Sequence, residues 1–483
     1  MDLRNRRLDV EQFLQERREV LAGWPTGREV NLEEAIEYHK RLPEGKNLAK
    51  LRKRAKKTGQ VLVQPRGGVA LVEELIEVLS TLQEVGADAL PITIDSFTRN
   101  EKFREAQKGI EESRKLARSM LNGFPMVNHG PGLGRQVIEA LDRPINIRAG
   151  TCEGRLLAEV CLAAGFTDIL MGPLNYNLAY TKNVPLERSM RAAQYVDRLT
   201  GYYTERGALV NKGVFGGMTG TMVPPSLLHA TSIIEALIGA EQGVKSFSLG
   251  YGQGGSLLQD VAAIRVLPQI AEEYMARFGY EVEVTTEMHQ WLAGFPKDEA
   301  QAFGVIAWGA VTAALSGVNM VMSKSPMEAI GVPTKEANAA GLRATKQIIN
   351  IARTQQLHDS DQLRLEMEMI RQETRAILDK TLELGDGDIL VGTMRAIEAG
   401  IIDIPFSPSV HNANKVVPVR DRGGAIRFLD TGNLPFDPEI KAFHRAKVEQ
   451  RSLAEGRPSD YTMLIDDVYA ISEGLLVGVS RER

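Results

Sequence analysis

From Gln60 onward the sequence alternates short apolar runs with longer amphipathic stretches, and this alternation limits the possible folds more than any other feature. The strand-length runs fall at residues 61–64, 89–94, 126–128, 145–147, 169–171, 208–210, 246–249, 282–285 and 318–322. Helical periodicity fills the intervals, at residues 69–83, 103–121, 155–164, 227–241 and 257–278 among others. Strands separated by helices cannot pair as hairpins, so each crossover starts the next strand in the same direction and a helix-covered parallel sheet results. The number of repeats and their span suit an α/β fold of the closed (β/α)8 TIM-barrel type, which takes roughly 250 residues, better than an open doubly wound sheet. One run exceeds the eight strands of a barrel and must be a loop or an extra strand.

The barrel is expected over residues 59–358. Residues 1–58 form an N-terminal helical segment, with helices at 10–21 and 32–41 and a break at Trp24-Pro25. The basic cluster at 50–57 has the composition of a solvated helix face. Residues 359–483 form a smaller α+β appendage: a long polar helix at 359–385, a turn-rich stretch at 404–437 and a helix at 438–455. Residues 302–322 carry no charge and are long enough to span a bilayer, yet they divide into a buried helix, 302–315, and a strand, 318–322.

A formal charge of −4 gives no general attraction to nucleic acid. The first sixteen residues are charged and lack the apolar core of a signal peptide, and no membrane association is expected. Cys152 and Cys161 have neither the spacing of a zinc site nor that of a disulfide framework, which points to a reducing cytoplasm and no bound metal.

Three arginines occupy equivalent places at strand ends: Arg66 in VLVQPRGG, Arg99 in LPITIDSFTR and Arg148 in PINIRAGT. Strand C-termini of a barrel converge on one mouth, and three guanidinium groups crowded there repel one another unless an anion neutralises them. A small dicarboxylate is the natural guest; pairing of each arginine with a nearby loop carboxylate is the alternative. Tyr176 and Tyr180, four apart in NYNLAY, are either half-buried packing or donors beside that mouth. The glycine-rich runs 215–221 and 250–255 fit neither a P-loop nor a dinucleotide fingerprint, and their glycines let backbone pass close beneath a planar cofactor or another loop. His289 follows the 282–285 run and either reaches the mouth or makes a structural hydrogen bond.

The strings QPRGGVAL, TGTMVPPS, HQWLAGFPKDEAQAFGVI and EAIGVPTKEANAAG, with IPFSPS, PVRD, GNLPF and IDD nearer the C-terminus, closely resemble the large (epsilon) subunit of the glutamate mutase (methylaspartate mutase) family along nearly the whole chain. That resemblance implies an adenosylcobalamin-dependent radical isomerase that interconverts glutamate and 3-methylaspartate. It also implies a homodimer of large subunits within a heterotetramer, completed by small cobalamin-binding subunits. The cobalamin-carrying Asp-x-His-x-x-Gly motif does not occur here, so the chain is expected to be inactive alone. By resemblance, Arg66, Arg99 and Arg148 match the family's arginine claw around the substrate carboxylates, and Tyr176 and Tyr180 its substrate-contacting tyrosines. Lys324 and Glu328 match residues that hold the adenosyl ribose; Gly68, Asn122, Phe295 and Val332 match cofactor-lining positions, and Ala179 stands where that lining usually has proline.

Three positions depart from the family. Leu170 stands in place of a glutamate that contacts the substrate amino group, Ala149 in place of a histidine, and Gly213 in place of another glutamate. Burying an ammonium beside leucine without another acceptor costs several kcal/mol. A five-carbon dicarboxylate lacking an amino group, such as 2-oxoglutarate or 2-methyleneglutarate, is therefore an alternative substrate; Asn175 or a shift of the loop after Leu170 would rescue glutamate. A non-catalytic dicarboxylate-binding paralogue is a further alternative, against which the retained Lys324 and Glu328 weigh. A hydrolytic or aldolase-type barrel would need a metal constellation or a Schiff-base lysine, for which Lys324 is the candidate.

Overall fold

The structure, a computed structural model, describes residues 3–216 and 222–480. Eight strands, β1 (Leu62–Gln64), β2 (Leu90–Thr93), β3 (Ile145–Arg148), β4 (Asp168–Leu170), β5 (Asn211–Phe215), β6 (Ser246–Gly252), β7 (Glu283–His289) and β8 (Met320–Met322), form one sheet. Its hydrogen-bonded order is β1-β8-β7-β6-β5-β4-β3-β2, all parallel. No ladder joins β1 to β2, but Thr93 N donates to Gly67 O (2.8 Å) and Asp88 N to Val63 O (3.0 Å). Val63 N in turn donates to Asp88 Oδ2 at 2.9 Å, and Lys346 Nζ lies 3.0 Å from the same carboxylate. These contacts bring the two ends of the sheet together, so it is a nearly closed (β/α)8 barrel with helices around it.

Most sequence-predicted elements recur within a few residues. The surplus run, 126–128, is the start of the helix Met126–Glu139 rather than a strand, because Asn128 N and His129 N both donate to Pro125 O and open a helical turn. The run 208–210 lies in the turn before β5, where Gly207 adopts φ 89° and Ala208 N donates to Tyr203 O. The strand itself carries Asn211 and Lys212, whose polarity hid it; Lys212 Nζ is neutralised by Asp197 at 2.6 Å. The helix expected over 103–121 ends at Leu116, because Ala117 turns left-handed at φ 50°. The uncharged stretch 302–322 resolves into the helix Glu299–Ser316, stopped by Gly317 at φ 79°, and β8. Among the described residues no helix is long and apolar enough to cross a membrane.

The N-terminal segment forms the helices Val10–Ala22, Leu32–Arg41 and Leu48–Thr58, each with an Asp or Asn side chain capping its first backbone N–H groups. The last of these carries the basic cluster, most of which is solvated as expected. Arg52 is the correction: it shares a face with Leu48, Ala49 and Ala55 and is only 1% exposed. Its helix covers the N-terminal ends of the strands, with Lys56 Nζ donating to Val284 O near the start of β7 (2.8 Å). Towards the C-terminus the helix Asp361–Leu384 leads to an antiparallel hairpin, β9 (Val416–Arg420) and β10 (Ile426–Thr431), and then to the helix Pro438–Glu455. One contiguous apolar core runs from Leu3 through the barrel to Ile440, so the three stretches pack as one body.

Asp88 ties the unladdered seam to the helix Lys335–Ala352 through Lys346. Replacing Asp88 with alanine leaves Val63 N without its acceptor, and we expect a loss of about 1–3 kcal/mol, read as a lower urea midpoint with an unchanged slope. Asp88→Asn, which keeps an acceptor, should lose less.

Candidate functional site

The barrel mouth holds a cavity of about 400 Å³ lined by Arg66, Pro91, Thr93, Arg99, Arg148, Gly150, Tyr176, Tyr180, His289, Leu292, Met322, Lys324 and Glu328. The three strand-end arginines thus converge as the topology requires. Arg66 lies two residues past β1, Arg99 closes the short helix Ser96–Arg99 after β2, and Arg148 ends β3. Asp95 caps that short helix through Phe97 N (2.9 Å) and Thr98 N (3.0 Å). Asn122 Oδ1 accepts from Ser96 N at 2.9 Å, and Thr151 Oγ1 donates to Arg99 O at 2.7 Å. The backbone beneath Arg99 is therefore fixed from three sides, while its Nε is buried with no hydrogen-bond partner among the described residues.

Arg148 is held from below. Its Nη1 donates to Glu287 Oε1 at 2.6 Å and to Asn146 Oδ1 at 3.2 Å, and its Nη2 meets His289 Nε2. His289 lines the cavity and also packs against Phe215, with ring centroids 4.3 Å apart, so it both reaches the mouth and serves the structure. Burial, reinforced by Arg148, pushes the His289 imidazolium down to about 3, so the ring is neutral and accepts from the guanidinium. Burial alone would raise the Glu287 carboxyl, but Arg148 and Arg52 outweigh it and hold it well below the usual carboxylate range.

On the opposite rim, two residues past β8, Lys324 Nζ pairs with Glu328 at 2.8 Å, and Arg66 Nη1 lies 3.9 Å from the same carboxylate. Burial lowers the Lys324 ammonium, opposed by Glu328. Burial would raise Glu328, but Lys324 and then Arg66 hold it below its ordinary value. Among the described residues the cavity lining therefore holds four cations, Arg66, Arg99, Arg148 and Lys324, and one carboxylate, Glu328, while Glu287 pairs with Arg148 from beneath.

Tyr176 and Tyr180 share the helix Pro173–Tyr180 after β4, and their rings stack at 5.7 Å with an interplanar angle of 24°. Burial raises both phenols, so they stay protonated. Glu235, on the helix Pro225–Glu241, accepts from Asn175 N at 2.8 Å and so caps the tyrosine helix from inside the protein. A Cβ on Gly172 would lie 2.7 Å from Glu235 Oε2, which explains the glycine there.

The remaining predicted positions do not line the cavity. Ala149 is buried in the core with its N–H donating to Leu170 O at 3.2 Å. Leu170 packs under Tyr176 with Phe215 and Leu292, and a Cβ on Gly213 would sit 3.1 Å from the Leu170 Cβ. Ala179 is buried on the tyrosine helix, Asn122 supports the Arg99 helix, and a Cβ on Gly68 would lie 2.7 Å from Thr93 O. Phe295 places its ring 5.9 Å from Lys324 Nζ, and Val332 is 76% exposed just beyond the rim. In the run 250–255, Gly250 makes room for the Phe215 ring, and Gly254 and Gly255 donate to Asp260 at 2.8 and 2.9 Å, so these glycines serve packing and a loop. In the run 215–221, residues 217–221 lie outside the described residues. Glu287 and Arg52 were missed; a glutamate inside the buried strand β7 and an arginine on an apolar helix stripe were the available signals.

Residues 42–480 match the family described as Methylaspartate mutase E chain (MutE). The chain is similar to the glutamate mutase epsilon subunit of Desulfitobacterium hafniense, at 53% identity over 483 residues covering 100% of both chains. It is also similar to the glutamate mutase epsilon subunits of Treponema denticola, at 49% identity with 100% of both chains covered, and of Escherichia coli O157:H7, at 47% with 99% of this chain and 100% of that one covered.

Burial raises the Glu235 carboxyl to about 7 from its ordinary value of 4.5, so the folded protein keeps a proton that the unfolded chain releases between those pH values. Stability from this group is thus full below pH 4.5 and falls as pH rises to about 7. Glu235→Gln should remove that decline: relative to wild type it gains on the order of 2–3 kcal/mol between pH 5 and pH 8, measured by urea unfolding.

Proposed function

The chain belongs to the methylaspartate mutase E chain family, and from that premise we propose that it is the substrate-binding large subunit of an adenosylcobalamin-dependent carbon-skeleton mutase acting on a five-carbon dicarboxylate, L-glutamate to 3-methylaspartate in the first instance. The observation that carries this reading is the convergence of four cations on a barrel mouth whose described lining holds one carboxylate, an excess of positive charge that suits a dicarboxylate and the geometry of guanidinium forks. Arg66, Arg99 and Arg148 would hold the two carboxylates, while Tyr176 and Tyr180 donate hydrogen bonds and shield one side.

The residues at the rim fit the implied cofactor. Lys324 and Glu328 offer a donor and an acceptor side by side, suited to ribose hydroxyls, and the exposed Ile330 and Val332 offer apolar surface beside them. When bound, adenosylcobalamin supplies a carbon radical from its carbon–cobalt bond. The chain's own residues then have no strong acid or base to provide; they bind, orient and exclude water. Small cobalamin-binding subunits would complete the assembly around a homodimer of this chain, in the cytoplasm.

A second reading, the same rearrangement of a dicarboxylate without an amino group, is favoured by one observation. Among the described residues both carboxylates at the mouth are already committed to arginine or lysine, and Leu170 and Leu292 form the apolar layer under Tyr176. An ammonium group there has no uncommitted anion to meet.

The test is an anaerobic mixture of this chain, its small subunit and adenosylcobalamin, with glutamate, 2-oxoglutarate and 2-methyleneglutarate followed in parallel by NMR. Methylaspartate formed from glutamate supports the first reading, and turnover of an amino-free acid alone supports the second. Turnover of none counts against both and points to a non-catalytic binder. In the active mixture Arg99→Met should weaken apparent substrate binding by about 2 kcal/mol or more, seen as a rise in KM.

A further inference from the structure

A column of alternating charge runs through the barrel from floor to mouth. At the floor Arg52 Nε lies 3.2 Å from Asp168 Oδ2, and its Nη2 donates to Glu287 Oε2 at 2.6 Å. Glu287 passes its other oxygen, Oε1, to Arg148 Nη1 at 2.6 Å, and Arg148 faces the cavity. All four groups are buried or nearly so, with side-chain exposures of 1% for Arg52, 0% for Asp168, 2% for Glu287 and 10% for Arg148.

The division of Glu287 is what matters for the mouth. A carboxylate presents two oxygens to an arginine fork, and an arginine left alone with a buried carboxylate takes both. Arg52 occupies one of them, so Glu287 holds Arg148 through a single Nη, the other Nη meets His289 Nε2, and the guanidinium stays at the cavity wall. Without Arg52, Glu287 has two outcomes open: it draws the Arg148 guanidinium inward as a bidentate pair, or it takes up a proton and releases its hold. Both weaken Arg148 as a ligand for an anion.

We infer that Arg52, which belongs to the N-terminal helical segment and touches nothing in the cavity, is a positioning residue for anion binding at the mouth, acting through Glu287 on Arg148. The inference rests on the proposed dicarboxylate site. It gives the N-terminal helix Leu48–Thr58 a role in substrate affinity in addition to its role in closing the barrel floor.

The experiment is isothermal titration of glutarate, a five-carbon dicarboxylate without an amino group, into the full chain, with the melting temperature recorded for each variant. Arg52→Met should weaken glutarate by roughly tenfold, the scale expected between directly coupled charged groups, and Arg52→Lys, which keeps the charge but not the fork, by about threefold. A residue that only supports the floor would lower the melting temperature and leave the Kd of the folded protein unchanged. Wild-type Kd in Arg52→Met overturns the inference, as does wild-type Kd in Arg52→Lys should the methionine variant fail to fold. Loss of binding in Arg66→Met with wild-type binding in Arg52→Met would overturn the inference while sparing the dicarboxylate reading. Absence of glutarate binding by the wild-type chain overturns both.

Discussion

A single carboxylate inside the barrel, Glu287, is shared by two arginines that approach it from opposite ends, 2.6 Å away on each side. Isolated charges at this depth would cost many kcal/mol in desolvation, and they persist because each oxygen of Glu287 has a cation and each cation has an anion. Much of the barrel interior is arranged around this constraint. Asn146, Asn211 and Ser248 form a polar layer next to Asp168, with Asn211 Nδ2 donating to Asp168 at 2.7 Å and to Ser248 at 3.0 Å. The strand residues Val63, Ile92, Ile147, Ile169, Val214 and Val321 belong instead to the contiguous apolar core shared with the helices.

From this arrangement follows the character of the mouth. Glu287 pairs with Arg148 from beneath and Glu328 pairs with Lys324 and more distantly with Arg66 from the side, while the lining as a whole keeps an excess of cations. Under the proposed function the site would act as an anion receptor with counter-charges built into its walls. The apolar layer of Leu170, Phe215 and Leu292 under Tyr176 adds no acceptor for a cation. The proposed radical chemistry would ask for a container of this kind, one that grips the ends of a substrate and offers little that reacts with its middle.

The barrel and the converging arginines were legible in the sequence because both depend on periodicity: parallel strands end at one mouth, and a residue at a strand end must go there. What periodicity could not supply was the exception within a pattern. Residues 126–128 have a strand-like composition, yet Pro125 opens a helix at that point, and the polar start of β5 was hidden by Asn211 and Lys212, whose partners lie far away in sequence. Arg52 was masked in the same way, one buried member of a basic cluster whose neighbours are solvated. The resemblance marked Ala149 and Leu170 as pocket positions; the structure sets them one layer behind the cavity wall, where side-chain identity acts through packing.

The seam between β1 and β2 carries one more consequence. Among the described residues it is the one junction between neighbouring strands in the barrel without a ladder, and the segments that leave its two strands carry Arg66 and Arg99, two of the cations that line the mouth. A dianion seated between them would act as a cross-brace across this seam, so ligand and barrel would tighten together.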